Sequence, residues 1–342
     1  MKPLIGSALA AVFLMTMAPL LHADGELSSA ELQGVPLESG RTISRLRIAY
    51  RTYGALNADK SNAVLFPTWL MGTSKELADL GYIGPGKAAD SSRWFVIAVD
   101  NPGNGVSTSP SNRARHGVTE LPPMTVRDLV NVQRALVTGH LKLVRLHAVM
   151  GISMGALQAL EWSVSHPDMM TRVVAIAGTP RITTHELLLW NSQVALIEAA
   201  RGMKDGNRTA MRLIAPTHAL MSRTPEFFIT QVPPENYPAL LNATETALAA
   251  YRAEDWAWQV RAIVTHDITR PYGGSLERAA ARVRARTLVI VSPGDRMVLP
   301  QGALDFAKAS NASVIRYAGN CGHFSFLCER DAIAPRIRTF IE

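Results

Sequence analysis

Val149-Met150-Gly151-Ile152-Ser153-Met154-Gly155-Ala156 sets a serine between two glycines at Gly-x-Ser-x-Gly spacing. The pentapeptide alone is a weak signal. Its flanks strengthen it. An apolar run of strand length, Leu143 to Met150, leads in. A helix-periodic segment leads out, with Leu157, Leu160 and Val164 on one side and Pro167 closing it. Strand, tight turn and helix form the setting in which a serine is exposed on a strained corner. Side chains at Gly151 and Gly155 would collide as strand and helix close on that corner. The bland alternative, a glycine-rich β–α turn with an incidental serine, is disfavoured once both flanks are counted.

A serine hydroxyl needs a base to take its proton, and the base needs a carboxylate to hold its tautomer. In such a fold both partners come later in the chain, acid before histidine, each in a loop after a strand. Asp295 follows the apolar run Thr287–Ser292 through Pro293-Gly294, and His323 lies in Gly319-Asn320-Cys321-Gly322-His323 after the run ending at Ala318. Asp267 and Asp331 compete as acids, but they fall in a helical region and in the last helix. Ser153, Asp295 and His323 are therefore the expected catalytic set. The oxyanion donors are expected to be the amides of Met154, directly after the serine, and Leu70, in Thr68-Trp69-Leu70-Met71-Gly72.

Outward from this core, apolar runs alternate with helix-length segments from Leu46 to the end, as in a mostly parallel sheet covered on both faces. The expected strands are Ala63–Leu70, Trp94–Asp100, Leu143–Met150, Val173–Ala177, Thr287–Ser292 and Ser313–Ala318. Thr125–Leu141 reads as a crossover helix with Thr125 and Asp128 as its capping box and Val126, Leu129, Val130 and Val137 inward. From 181 to 281 the alternation stops, and methionines and tryptophans mark a helical insertion. The expected organisation is a leader at 1–23, core at 24–180, cap at 181–281 and core again at 282–342. The cap would lie over the carboxyl edge of the sheet, where such proteins bind ligands.

The ends and the composition exclude other classes. Lys2, the apolar run Leu4 to Leu21 and the small residue at Ala23 are the parts of a secretory signal peptide, so an exported (periplasmic or secreted) protein is expected. The competing reading is a retained anchor, against which Ser7, Thr16 and Pro19 weigh. Among 342 residues, 35 basic and 28 acidic side chains leave a net charge of +7, too mild for a nucleic-acid grip. Cys321 and Cys328 are the only cysteines; spacing leaves open whether they pair or stay free thiols. No CxxC or HExxH occurs, and His185-Glu186 lacks a second histidine, so no metal is expected. Asp100-Asn101-Pro102-Gly103-Asn104-Gly105 lacks the third glycine of a dinucleotide fingerprint, since Thr108 stands there, and no cofactor is expected.

The chain resembles the α/β-hydrolases and, among them, the homoserine O-acetyltransferase group. The resemblance rests on Gly84-Pro85-Gly86-Lys87-Ala88 with Arg93-Trp94-Phe95-Val96-Ile97, on Gly151 to Trp162, and on Gly322-His323 with Phe326-Leu327. It implies an α/β-hydrolase fold, a helical cap inserted before the acid-bearing strand, ping-pong acyl transfer, and the same Ser153, Asp295 and His323. Three departures bear on the substrate. Phe324 stands where the group places an aspartate near homoserine's amino group. Arg212 matches a carboxylate-gripping arginine, but Ala219 replaces its tyrosine partner. Gly105-Val106-Ser107-Thr108-Ser109-Pro110 replaces a Gly-Thr-x-Gly-Pro run. Arg212 and Phe324 are therefore the expected substrate contacts, with a small acyl compound as substrate. Three functions follow: an exported ester hydrolase, an O-acyltransferase using an acyl-CoA donor, or a silent fold that only binds a ligand. The sequence sets no oligomeric state; a homodimer is carried as an expectation.

Overall fold

The computed structural model describes residues 22–342. The leader reading therefore lies outside the described residues, apart from His22 and Ala23, which open the first strand. Eight strands make one sheet: β1 His22–Pro36, β2 Thr42–Ala55, β3 Ala63–Pro67, β4 Phe95–Val99, β5 Leu146–Ile152, β6 Met170–Ile176, β7 Arg286–Val291 and β8 Ser313–Arg316. Their order is β1-β2-β4-β3-β5-β6-β7-β8. β1 with β2 and β2 with β4 are antiparallel, and every later pairing is parallel. The central strands are apolar throughout because helices cover both faces; every residue of β3 and β4 is buried.

The hairpin β1–β2 is the element the sequence concealed. β1 is mostly exposed, and β2 carries Arg45 and Arg47 among its buried Leu46 and Ile48, so neither reads as an apolar run. Other strands shift at their ends. The third stops at Pro67 rather than Leu70, because Trp69–Gly72 folds into a turn with Met71 at φ 60°. The fifth runs Leu146–Ile152, since Leu143 still bonds back to Val137.

The crossover helix starts as its capping box dictates. The Asp128 amide donates to Thr125 Oγ1 at 3.1 Å, and the Thr125 amide to Asp128 Oδ2 at 2.9 Å. It runs Val126–Arg134 and ends in a wider π turn at Ala135–His140, with Val126, Leu129, Val130 and Val137 all buried. Between β6 and β7 the chain forms a helical cap, chiefly Thr184–Ala200, Gly206–Ser222, Pro225–Gln231, Tyr237–Leu248 and Ala253–Val264. Trp190, Met211, Trp256 and Trp258 are its buried anchors, and Trp256 Nε1 donates to Gln193 Oε1 at 3.0 Å. Among the described residues, no helix is long and apolar enough to cross a membrane.

Candidate active site

The helix Met154–Ser165 begins directly after β5, so Ser153 must turn the chain within one residue. It does so at φ 54° and ψ −122°, outside the region L-residues prefer. Both neighbouring glycines are obligatory for steric reasons. A Cβ at Gly151 would lie 2.0 Å from the Gly155 carbonyl oxygen, and one at Gly155 would lie 2.5 Å from that of Pro67. The corner is anchored by the Ser153 amide, which donates to the Ile176 carbonyl at 2.8 Å.

Ser153, Asp295 and His323 converge at the carboxyl ends of β5, β7 and β8. Ser153 Oγ lies 2.9 Å from His323 Nε2, and His323 Nδ1 lies 2.7 Å from Asp295 Oδ2. The other carboxylate oxygen, Oδ1, accepts the amides of Met297 and Val298, each at 2.9 Å, which fixes its orientation. Asp295 and His323 are only 4% and 3% exposed, so their bond works with little solvent screening. A carboxylate at Nδ1 keeps the proton there and turns the Nε2 lone pair toward the serine hydroxyl. The competing acids stand elsewhere. Asp267 caps its own turn through Thr269, and Asp331 pairs with Arg330.

A cavity of about 470 Å³ opens over the serine between the sheet edge and the cap, and Leu70, Met154 and Phe324 all line it. Met154 opens its helix, where an amide has no intrahelical acceptor. Leu70 sits in the turn Trp69–Gly72, closed by a bond from the Gly72 amide to the Trp69 carbonyl at 3.0 Å. Arg212 requires a correction. It lies on the outer face of the cap, 60% exposed, with its Nε 3.0 Å from Glu245 Oε2, and it does not line the cavity. Its helix, Gly206–Ser222, meets the cavity through His218, Ala219 and Ser222 instead.

Four further residues escaped the sequence reading. Among the described residues, Arg223 is the one lysine or arginine in the lining; its guanidinium is 4.7 Å from the ring centres of both Phe227 and Phe324. His218 lines the cavity against Trp256, at 5.3 Å between ring centres. Burial pulls its imidazole down to about 4, with the nearby His323 adding to the effect. Gln259 reaches from the cap to the Leu70 turn, where Oε1 accepts the Met71 amide at 2.7 Å and Nε2 donates to the Pro102 carbonyl at 3.0 Å. Glu186 ties the start of the cap to the Asp295 loop by accepting the Leu299 amide at 3.1 Å. These long-range contacts have no local sequence signature. Cys321 and Cys328, left open by spacing, form a disulfide.

A family model described as the alpha/beta hydrolase fold matches residues 65–329. With the sheet order and the serine corner, this makes the chain a member of the α/β-hydrolase family. Ethyl acetate hydrolase from Pseudomonas veronii is 35% identical over 295 residues, covering 80% of this chain and 82% of its own. Homoserine O-acetyltransferase from Acidiphilium cryptum is 29% identical over an alignment of 356 positions, covering 90% and 93%. The solved acetylester hydrolase from Corynebacterium glutamicum superposes with a TM-score of 0.86 at 27% identity, covering 92% and 96%. The chain is thus similar both to ester hydrolases and, at lower identity over most of its length, to homoserine O-acetyltransferases.

Proposed function

We propose that the chain is an exported serine hydrolase that cleaves a carboxylic ester through an acyl-serine intermediate, with water as acceptor. The observation that carries this reading is the relay from Ser153 Oγ to His323 Nε2 at 2.9 Å and from His323 Nδ1 to Asp295 at 2.7 Å, on the floor of an apolar cavity. His323 takes the hydroxyl proton as Ser153 attacks the ester carbonyl. The amides of Leu70 and Met154 receive the negative charge on the carbonyl oxygen. Collapse expels the alcohol, which leaves with the proton from His323 and leaves the acyl group on Ser153. Water, deprotonated by the same imidazole, then attacks the acyl carbon and releases the acid, restoring the hydroxyl.

Water is favoured over homoserine as acceptor by the cavity wall. Among the described residues, its lining holds no aspartate or glutamate that could pair with a homoserine ammonium. Losing such a charge-assisted bond costs about 1.5–3 kcal/mol. The names of the relatives agree: an ethyl acetate hydrolase and an acetylester hydrolase are among them. Export is supported by the apolar leader and by the Cys321–Cys328 bridge, since disulfides persist in oxidising compartments. The purified protein is to be screened with p-nitrophenyl esters of graded chain length, alongside acetyl-CoA with homoserine. Turnover of short esters without homoserine is expected. Stoichiometric O-acetylhomoserine formation with slow hydrolysis would make the protein an acyltransferase. Inertness toward both, with no labelling by a fluorophosphonate, would leave only the ligand-binding reading.

A further inference from the structure

The loop that carries His323 is fastened largely by side chains. Its entrance is held by Glu329, whose two carboxylate oxygens accept the Ala318 and Gly319 amides at 3.0 Å each. Cys321 immediately precedes the turn Gly322–Phe324, and Cys328 ends the short helix Ser325–Cys328 that follows, so the disulfide closes a ring around His323. A second tie comes from the cap. At the joint between the helices Gly206–Ser222 and Pro225–Gln231, Thr224 Oγ1 donates to the Asn320 carbonyl at 2.6 Å. The neighbouring Arg223 stacks on Phe324 and donates from Nη1 to Cys328 Sγ at 3.4 Å. Gly322 makes the contact close: it sits at φ 62°, and a Cβ there would lie 2.9 Å from the Arg223 carbonyl carbon.

We propose that the Cys321–Cys328 disulfide and the Arg223–Thr224 joint form one clamp that positions the His323 imidazole for acyl transfer. This rests on the reading of His323 as the general base. Neither cysteine lines the cavity, and the ring they close holds His323, so opening the bridge acts chiefly on the histidine, with Arg223 as its one hydrogen-bonded tie to the cavity wall among the described residues. Cys328 is exposed and Cys321 half-buried, which leaves the bridge open to a small reductant. A dithiol supplies the two electrons and two protons: its thiolate attacks one protein sulfur, its second thiol closes the reductant's own disulfide, and the protein is left with two thiols. The Nε2–Oγ and Nδ1–carboxylate geometry must hold within about half an ångström, so a loosened loop costs rate.

The test uses the folded full-length protein, reduced in place with dithiothreitol and assayed with p-nitrophenyl acetate. Thiol titration confirms two free thiols, and far-UV circular dichroism confirms the fold. The expected result is a fall in kcat of about tenfold or more with KM changed by less than about twofold. Fluorophosphonate labelling of Ser153 should slow in parallel, and reoxidation should restore both. Cys321→Ser/Cys328→Ser should match the reduced enzyme, and Arg223→Met should lower kcat more than Arg223→Lys. An unchanged kcat in the fully reduced, folded protein overturns the proposal. Collapse of the dichroism on reduction does so too, because the bridge would then serve the fold as a whole. Failure of the underlying function has a different signature: the oxidised wild type itself would neither hydrolyse the ester nor take the label.

Discussion

Ser153 spends conformational energy for exposure. Its φ of 54° costs on the order of 1–3 kcal/mol, offset by the helix and strand that fix its neighbours. Ser153→Ala keeps this backbone and removes the proposed nucleophile. Hydrolysis should fall by a factor on the order of 10⁶ with little change in melting temperature, measured by ester assay and calorimetry. Asp295→Asn should lose about 10⁴ in kcat, because an amide no longer enforces the tautomer that turns Nε2 to the serine. Residual activity near wild type in either variant would point to a different relay. Ser153, Asp295 and His323 were legible because each is bound to a local pattern: a glycine-framed turn, or a loop after an apolar strand. Arg223, His218 and Gln259 were not, since each matters only through how the cap folds back on the sheet. Arg212 shows the same limit from the other side: a motif match cannot tell which face of a helix a residue occupies.

At the scale of elements, short turns set the geometry. The Trp69–Gly72 turn presents Leu70, yet one of its amides, that of Met71, is held by a side chain from the cap. Gln259→Leu removes that acceptor and leaves a buried donor unpaired, which should cost about 1–3 kcal/mol in stability. A chemical denaturation curve would report it. The same variant should lower kcat more than it raises KM if the turn supplies the proposed oxyanion donor at Leu70; a pure KM effect would argue against that role. Gly155→Ala should fail to give a folded enzyme, since its Cβ would meet the Pro67 carbonyl oxygen at 2.5 Å, backbone that cannot step aside. Soluble, active Gly155→Ala protein would show the corner to be less crowded than described. Sequence patterning located the start of the crossover helix to the residue because the capping box is a local device, but not its end, where the last turns widen into a π turn. It missed the β1–β2 hairpin because partly exposed antiparallel strands mix charges into the apolar pattern.

Across the whole molecule, buried polar ties join cap to core, and some of these respond to acid. His266, only 3% exposed, stands 3.0 Å from the Thr179 carbonyl through Nε2, and burial pulls its imidazole down to about 4. An unfolded histidine titrates near 6.5. Between those two values the unfolded chain binds a proton that the folded one refuses, so stability should be level above pH 6.5 and decline as pH falls toward 4. The full contribution of this group is about 3 kcal/mol. Urea denaturation at pH 7 and pH 4.5 should show a shallower decline in His266→Asn than in the wild type. Equal declines would assign the acid sensitivity to other groups, among them His218 in the same window.

The most direct measurement is a rapid-quench reaction with p-nitrophenyl acetate followed by peptide mass mapping. A burst approaching about one p-nitrophenol per chain is expected, with one acetyl group on the peptide bearing Ser153 and none in Ser153→Ala. Turnover with no burst and no acetylated peptide, or an acetyl group on another residue, would contradict the acyl-serine relay.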